Sequence, residues 1–378
     1  MTTLHEVAAR CGPAYLARHG TGILPSHRRA LRDLAACRTA ALGGHVRGCD
    51  RCGSEHCVYH SCRNRSCAQC HGAATIAWTA ARTAELLPMP YFHVVFTVPA
   101  ELREVIRTHQ RVALGLLMST AAESLQALAA DPHYVGGTLG ILAVLHTWTR
   151  ALVYHPHVHC LVPGGGLAPD GTAWCPARTN FLVPVRALSV HFRARLLSRL
   201  KAALPDVVLP ATLWQKPWVV FCKPSVQGSP VVLQYLARYV HRVAITDARL
   251  VALTDGPAST VTFRYKDRRD AAGGVWRTMT LSADEFLRRF LQHVLPRGFH
   301  KVRYYGLWRP AAAAQRARVQ QLLASSARAQ PDDPARPVHD GVAPVPLGHH
   351  CPRCHRGALH VVRLIPRRAR LRATAMAP

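Results

Sequence analysis

Residues 153–163 read VYHPHVHCLVP, and three histidines occupy alternate positions of this stretch. Side chains of a β-strand point alternately to its two faces, so His155, His157 and His159 share one face while Val158 points to the other. Two imidazoles on one face of a rigid strand can hold one divalent metal ion. A His-x-His pair by itself is usually incidental, so the prediction of a metal site depends on a second feature further along the chain.

The segments around this strand predict an α+β fold. Residues 91–99 (YFHVVFTVP) indicate a buried strand, 100–130 a long helix rich in Ala and Leu, and 138–148 (TLGILAVLHTW) another strand. The order strand, helix, strand, strand favours a central antiparallel sheet that carries the histidines and has helices packed on it. Further elements are predicted as helices at 5–42, 186–203 and 230–240, strands at 217–223, 260–266 and 276–281, and a final helix with the sequence ADEFLRRFLQHVL.

The predicted helix at 230–240 contains the second feature, a pair of tyrosines. Tyr235 and Tyr239 are four residues apart, which places both hydroxyls on one helical face with Arg238 and Arg242 close by. Aromatic residues at this spacing usually belong to a core. The pair becomes a candidate functional group only in combination with the histidine strand.

Two Cys-x2-Cys knuckles precede these elements. Cys49 and Cys52 form the first, Cys67 and Cys70 the second, and fourteen residues separate them. This spacing predicts that four thiolates enclose one structural zinc ion, which would replace the core that so few aliphatic residues cannot form. Other nearby residues are open alternatives as substitute ligands, as partners of the ligands or as part of a second site: His56, Cys57, His60, Cys62 and His71.

A third knuckle, Cys351-x2-Cys354, follows much later in the chain. One knuckle is half of a tetrahedral site, so whether it binds a separate metal stays open at the level of sequence.

The segment between the first two knuckles contains Arg63 and Arg65. Guanidinium groups suit bidentate contacts with phosphates or guanine edges, so both arginines are predicted to bind DNA. A solvated turn is the alternative interpretation.

Composition supports a polyanionic partner. The 378 residues include 48 Lys+Arg against 20 Asp+Glu, a formal net charge of +28. Only five of the basic residues are lysines, which indicates a compositional bias toward arginine but does not explain the shortage of carboxylates. No apolar segment is expected to approach the 18 residues of a membrane span, and no signal peptide is recognised. We expect a cytoplasmic, nucleoid-associated protein whose thirteen cysteines bind metal rather than form disulfides.

Three segments are predicted along the chain. Residues 1–88 would form the N-terminal helical segment and zinc-binding domain, 89–310 the catalytic domain, and 311–378 a helix, a Pro-rich linker at 329–348, the third knuckle and a basic tail.

The sequence resembles the HUH-endonuclease transposases of bacterial rolling-circle insertion sequences, which have an N-terminal transposase zinc-binding domain. The resemblance extends from about residue 45 to 306 and rests on stretches that occur in the family's order: CDRCG, SCRNRSCAQC, YFHVVFTVP, LHTW, YHPHVHCLVPGGGL, YLARYVHRVAI and EFLRRFLQHVLPRGFHKVRYYG. One departure is Ser66-Cys67-Ala68, where relatives often have His-Cys-Pro; it retains the cysteine.

The resemblance implies site residues and a reaction. His157 and His159 would bind a catalytic Mg²⁺ or Mn²⁺, with His146 favoured over His155 as the third ligand. Tyr235 and Tyr239 would be the nucleophiles that cut single-stranded DNA and retain its 5′ end as a phosphotyrosine. Arg238, Arg242 and Lys223 are candidate phosphate contacts.

Two other functions are compatible with these residues. A plasmid relaxase or replication initiator would use the same site on a replication origin, and the zinc module argues against it. A non-catalytic zinc-containing DNA-binding protein would not need both histidines and both tyrosines.

Overall fold

The computed structural model describes residues 2–83, 85–224, 240, 243–256, 258–267, 274–328 and 350–367. Its strands are β1 (Gly44–Cys49), β2 (Glu55–Tyr59), β3 (Tyr91–Thr97), β4 (Gly140–Trp148), β5 (Tyr154–Pro163), β6 (Gly165–Leu167), β7 (Trp174–Pro176), β8 (Val220–Pro224), β9 (Leu250–Leu253), β10 (Thr260–Asp267), β11 (Val275–Ser282), β12 (Val302–Gly306) and β13 (Leu359–Ile365). Its helices are α1 (Leu4–His19), α2 (Pro25–Ala36), α3 (His71–Thr83), α4 (Arg103–Thr108), α5 (Gln110–Ala129), α6 (Val185–Ala203), α7 (Thr212–Gln215), α8 (Ala283–Leu291) and α9 (Ala313–Arg328).

The histidine strand, β5, lies at the centre of a five-stranded sheet with the order β12-β4-β5-β3-β8. Every neighbouring pair in it is antiparallel, so the predicted α+β fold with a central antiparallel sheet is confirmed. Two helices predicted as continuous are each divided in two: 5–42 at a 3₁₀ turn over Gly20–Gly22, and 100–130 at His109. The predicted helix at 230–240 lies outside the described residues except for Val240.

One face of the central sheet is apolar and packs against α5 and α6. Phe92, Phe96, Val158 and Cys160 point to this side and belong to the largest buried cluster. Because strand residues alternate in direction, the histidines of β5 lie on the opposite face. The apolar core therefore fixes which face of the sheet carries the site.

Helix α5 corrects one expectation from the sequence. By length and composition it could cross a membrane, so the statement that no apolar segment approaches a membrane span is wrong for residues 110–129. More than half of the helix is buried inside the protein, where Leu114, Leu117 and Leu125 have no exposed surface. Its apolar character follows from packing on the sheet, as expected for a central core helix.

A second core joins the N-terminal helices to a smaller antiparallel sheet with the order β11-β10-β9. Leu4 and Leu31 from α1 and α2 pack in it with Phe263 of β10 and Phe286 of α8. The N-terminal helices are thus tied to residues some 250 positions away, which the predicted division at residue 88 did not anticipate.

The C-terminal strand β13 pairs with β1 and completes a three-stranded sheet with the order β13-β1-β2. The register runs from Gly44 opposite Ile365 to Cys49 opposite Leu359. Part of the predicted C-terminal segment at 311–378 therefore lies within the N-terminal zinc-binding region.

Arg65 anchors the loop between the first two knuckles to the segment that leads into β12. Its guanidinium donates hydrogen bonds to the backbone carbonyls of Leu295, Pro296 and Phe299 at 2.5–2.7 Å. Burial lowers the pKa of Arg65. The prediction that Arg65 binds DNA is therefore corrected: its donors are used inside the protein because these carbonyls lie in an irregular segment without strand partners. Arg63, two residues earlier, is exposed.

The contrast between Arg65 and Arg63 gives a stability prediction. Arg65→Ala should lower the free energy of unfolding by about 2–4 kcal/mol, because it leaves buried carbonyls without a charged donor. Arg63→Ala should change it by less than about 0.5 kcal/mol, as is usual for an exposed side chain. Urea unfolding monitored by tryptophan fluorescence measures both variants, and equal midpoints would contradict the anchoring role of Arg65.

Candidate functional site

Three histidines converge on the open face of the central sheet. His146 of β4 lies directly opposite His157 of β5 in the strand register, and His159 follows two residues later. Each offers a ring nitrogen, and these nitrogens lie within 4.8 Å of one another. Such a cluster of imidazoles can bind one divalent ion. The structure therefore brings together the pair from the sequence analysis and the favoured third ligand.

Hydrogen bonds orient two of these rings. Nδ1 of His157 lies 2.7 Å from the backbone oxygen of His155, so this nitrogen donates to the carbonyl and Nε2 carries the ligating lone pair. Nδ1 of His159 lies 2.9 Å from Nε2 of His93, and the two rings stack with their centroids 5.1 Å apart. Metal binding through Nε2 of His159 requires that its Nδ1–H donates to His93.

His93 is a functional candidate that sequence reasoning missed. Burial lowers its pKa to about 4, with a smaller contribution from His157, so at neutral pH the ring is uncharged and can accept a hydrogen bond. Its place in the sequence, as the polar residue inside the buried stretch YFHVVFTVP, was the available signal. Partners of this kind fix the tautomer and orientation of metal-binding histidines.

His155 shares the face but not the cluster. Its Nδ1 lies 3.1 Å from the guanidinium of Arg103, which makes that nitrogen a hydrogen-bond acceptor. Burial, followed by His157 and Arg103, lowers the pKa of His155 to about 4. The geometry therefore favours His146, which is 2% exposed, as the third member of the site.

A cleft of about 770 Å³ opens above the histidines. Its wall combines the end of β4 and the start of β5 with residues of the smaller sheet. Beyond the histidines its polar lining is Thr149, Arg150, Arg249, Tyr265, Lys266 and Asp267. Three basic groups against one acidic group favour an anionic ligand such as a phosphodiester.

The predicted nucleophiles Tyr235 and Tyr239 lie outside the described residues, as do Arg238 and Arg242. Val240 is described, and it is buried with Leu142, Val144 and Leu161 on the histidine side of the sheet. Lys223 is exposed on the edge strand β8, opposite His93 in the register. This lysine therefore lies on the same face as the histidines.

Cys67 and Cys70 form a four-thiol cluster with Cys37 and Cys62. Three of the sulfur–sulfur distances in it are 3.6 Å. Zinc–sulfur bonds of about 2.3 Å in a tetrahedron give sulfur–sulfur distances of about 3.8 Å, so the donor set fits zinc. The neighbouring Cys62 thiol and burial raise the pKa of Cys67 above its usual range, a shift that a bound cation would oppose.

Cys49 and Cys52 form a separate cluster with Cys351 and Cys354. The prediction that Cys49, Cys52, Cys67 and Cys70 enclose one zinc ion is therefore corrected. The β1–β2 hairpin carries the first knuckle into the sheet with β13, whereas the second knuckle packs on the core of the N-terminal helices. The two knuckles are near in sequence but belong to different packing units.

The missed ligands had partial signals in the sequence. Cys62 is only five residues before Cys67 and was among the open alternatives, and the third knuckle was identified as an incomplete site. Cys37 follows the last residue of α2, and no cysteine at knuckle spacing marks it in the sequence. It joins the site because α2 and the Cys67 loop pack in one core.

Two family models match the chain. Residues 7–98 match the family described as "Transposase zinc-binding domain", and residues 140–316 match the family described as "Putative transposase". The first range contains the Cys37 cluster, and the second contains the three clustered histidines and both candidate tyrosines.

Two curated proteins are similar over most of their length. A protein of Sinorhizobium fredii (strain NBRC 101917 / NGR234) described as "Putative transposase y4qJ" is 41% identical over 95% of this chain and 94% of its own. The transposase for insertion sequence element IS801 of Pseudomonas savastanoi pv. phaseolicola is 29% identical over 78% of this chain and 72% of its own. No solved structure matches.

These matches account for the architecture described above. The zinc-binding region precedes the region with the histidine cleft, which is the order of the two matched families. They favour a transposase over a plasmid relaxase or replication initiator. The chain belongs to the IS801/IS91 family of transposases, which act on DNA and move insertion sequences by rolling-circle transposition.

Proposed function

We propose that this transposase cuts and rejoins single DNA strands through a covalent phosphotyrosine, with the scissile phosphate held in the histidine cleft. The observation that carries the proposal is the convergence of His146, His157 and His159 within 4.8 Å at a cleft with an excess of basic side chains.

The three histidines would hold a divalent ion such as Mg²⁺ or Mn²⁺. When bound, this ion polarises a non-bridging oxygen of the phosphate and fixes its orientation. His93 and the carbonyl of His155 keep the rings of His159 and His157 in the ligating orientation. Their contribution is geometric, because a rigid ligand set places the phosphate in one position relative to the attacking group.

Tyr235 or Tyr239 would supply the attacking oxygen. As the tyrosine loses its proton, its oxygen bonds to phosphorus while the bond from phosphorus to the 3′ oxygen breaks. The 3′ oxygen then leaves as a hydroxyl. The phosphotyrosine conserves the energy of the broken bond, so attack by a 3′ hydroxyl can rejoin a strand without a nucleotide cofactor.

Chain connectivity supports this assignment. Val240, the residue after Tyr239, is buried in the same cluster as Val144, and Val144 is opposite His159 in the strand register. This position of Val240 supports the proposal that the neighbouring tyrosines act at the histidine site. A second tyrosine would permit a second cleavage before the first intermediate is resolved, and Arg238, Arg242 and Lys223 would contact phosphates.

The N-terminal region would bind DNA on a zinc-stabilised scaffold. We assign its zinc ion to Cys37, Cys62, Cys67 and Cys70, the cluster that lies within the matched zinc-binding family. Arg63 is exposed beside this cluster and would contact a phosphate. The substrate would be nucleoid DNA in the cytoplasm, opened to single strands at the transposon ends.

Substitution of the clustered histidines tests the metal site. His146→Ala, His157→Ala or His159→Ala should each reduce cleavage of a single-stranded oligonucleotide in Mn²⁺ or Mg²⁺ at least 100-fold. DNA affinity should change less than twofold, because it comes from spread-out contacts to phosphates. His93→Ala should raise the metal concentration needed for half-maximal cleavage by about 10–100-fold. Denaturing gels and fluorescence anisotropy measure the two quantities.

His155 and His133 supply the controls for that series. His155→Ala should retain far more activity than His146→Ala, and His133→Ala, at an exposed position, should resemble the parent. If His155→Ala were the more damaging change, His155 and not His146 would be the third ligand. Normal cleavage by all three cluster variants would place the active site elsewhere.

The tyrosines separate an enzyme from a DNA-binding protein. Tyr235→Phe or Tyr239→Phe alone should impair transposition and retain some nicking, whereas the double variant should form no covalent adduct. Phenylalanine preserves the ring and its packing, so the loss would report on the hydroxyl. Mass spectrometry of the adduct identifies the attacking residue. A persistent 5′ adduct in the double variant would refute the assignment and direct attention first to Tyr265, which lines the cleft.

A further inference from the structure

We infer that Cys49, Cys52, Cys351 and Cys354 bind a second zinc ion. This ion would hold the C-terminal segment against the N-terminal zinc-binding region. The matched zinc-binding family ends at residue 98, so it does not account for Cys351 and Cys354. The site is made of two knuckles that are 299 residues apart in sequence.

The four thiols have the spacing of zinc ligands. Sγ of Cys49 lies 3.7 Å from Sγ of Cys354, and Sγ of Cys52 lies 3.6 Å from Sγ of Cys351. These distances are close to the edge of a tetrahedron around zinc, about 3.8 Å, and far longer than a disulfide bond of about 2.05 Å. The Cys37 cluster has the same spacing, so the two sites are geometrically equivalent.

Both knuckles have the same backbone turn. The amide of Gly53 donates to the carbonyl of Cys49 at 3.1 Å, and the amide of His355 donates to the carbonyl of Cys351 at 2.8 Å. Each donor residue follows the second cysteine of its knuckle and has a left-handed backbone, with φ of +63° and +56°. This conformation is unfavourable for a histidine, so the turn is enforced by its surroundings.

Backbone amides also point at the sulfurs. The amide of Arg51 lies 3.4 Å from Sγ of Cys49, and the amide of Arg353 lies 3.4 Å from Sγ of Cys351. The amide of Gly357 contacts Sγ of Cys354 at 3.4 Å. N–H donors stabilise negative charge on sulfur, which is the form that binds a metal. Both knuckles therefore direct backbone N–H groups at their sulfurs, which favours the thiolate form that binds a cation.

The contact between the two knuckles is close. Asp50 exchanges two hydrogen bonds with Ala358, through its amide at 3.2 Å and its carboxylate at 2.9 Å. A Cβ atom at position 357 would lie 2.3 Å from Sγ of Cys49, so only glycine permits this approach. The C-terminal knuckle is therefore shaped to fit the N-terminal one.

Burial of apolar side chains cannot explain why β13 stays on β1. Val361, Val362 and Leu364 are 56%, 56% and 75% exposed. Strand β2 on the other edge is similarly exposed. Val46 of β1 is fully buried, but a small sheet that buries so few apolar side chains is marginal in water, whereas structural zinc contributes on the order of ten kcal/mol. The metal is thus the main interaction that fastens the C-terminal segment.

Metal content of the full-length protein tests the site. The parent should contain two zinc ions per chain by mass spectrometry of the metal, and Cys351→Ser/Cys354→Ser should contain one. Cys62→Ser/Cys67→Ser should also lose one, which identifies the two sites separately. Cys57→Ser, at an exposed cysteine outside both clusters, should retain two. One zinc in the parent, or two in the Cys351→Ser/Cys354→Ser variant, would overturn the inference.

A proteolysis experiment tests whether zinc holds the C-terminal segment in place. A specific protease site is inserted between Arg336 and Pro337 of the full chain, and the cut protein is passed over a size-exclusion column. The C-terminal fragment should co-elute with the remainder and separate after addition of a chelator. It should also separate in the Cys351→Ser/Cys354→Ser background. If the fragment still co-elutes after chelation and in the Cys351→Ser/Cys354→Ser variant, zinc does not hold the C-terminal segment in place.

These readouts do not depend on the proposed chemistry. Tyr235→Phe/Tyr239→Phe should retain two zinc ions and a bound C-terminal fragment whether or not these tyrosines are the nucleophiles. Failure of the tyrosine mechanism and failure of the second zinc site are therefore distinguishable.

Discussion

The register between β4 and β5 is the constraint on which the histidine site depends. It places His146 directly opposite His157, and a slip by one residue would turn the histidines into the core and the valines toward solvent. That slip is opposed by the apolar face of the sheet, where Phe92, Phe96 and Val158 pack against helices. The hydrophobic core therefore determines the geometry of a polar site that it does not touch.

The N-terminal region is stabilised by a different interaction. Its knuckles and hairpin bury little apolar surface, and sulfur ligands take the place of a core. Arg65 complements this arrangement by using its charge inside the protein, on three backbone carbonyls of the segment that leads into β12. In a chain with a net charge of +28, basic residues thus differ in their surroundings: Arg65 is a structural anchor, whereas Arg63 remains exposed on the surface.

The two thiol clusters connect these parts of the molecule. The Cys37 cluster lies on the core shared by α1, α2 and the smaller sheet, and that sheet also supplies one wall of the histidine cleft. The zinc-binding region is therefore built into the framework of the cleft rather than attached to it by a linker. A nucleic acid bound near Arg63 and one bound in the cleft would contact a continuous structure.

The sequence by itself determined the α+β class, the histidine strand, the approximate positions of most strands and helices, and the presence of a zinc-binding domain near the N-terminus. These properties depend on local periodicity and residue type, which are fully present in the sequence. Only the tertiary structure decided that His146 completes the cluster, that His93 orients His159, and that Arg65 is an anchor. It also decided how the knuckles combine, because thiols 299 residues apart meet only through the pairing of β13 with β1. The number of residues between two cysteines does not predict such a contact, because only folding brings the ligands within reach of one ion.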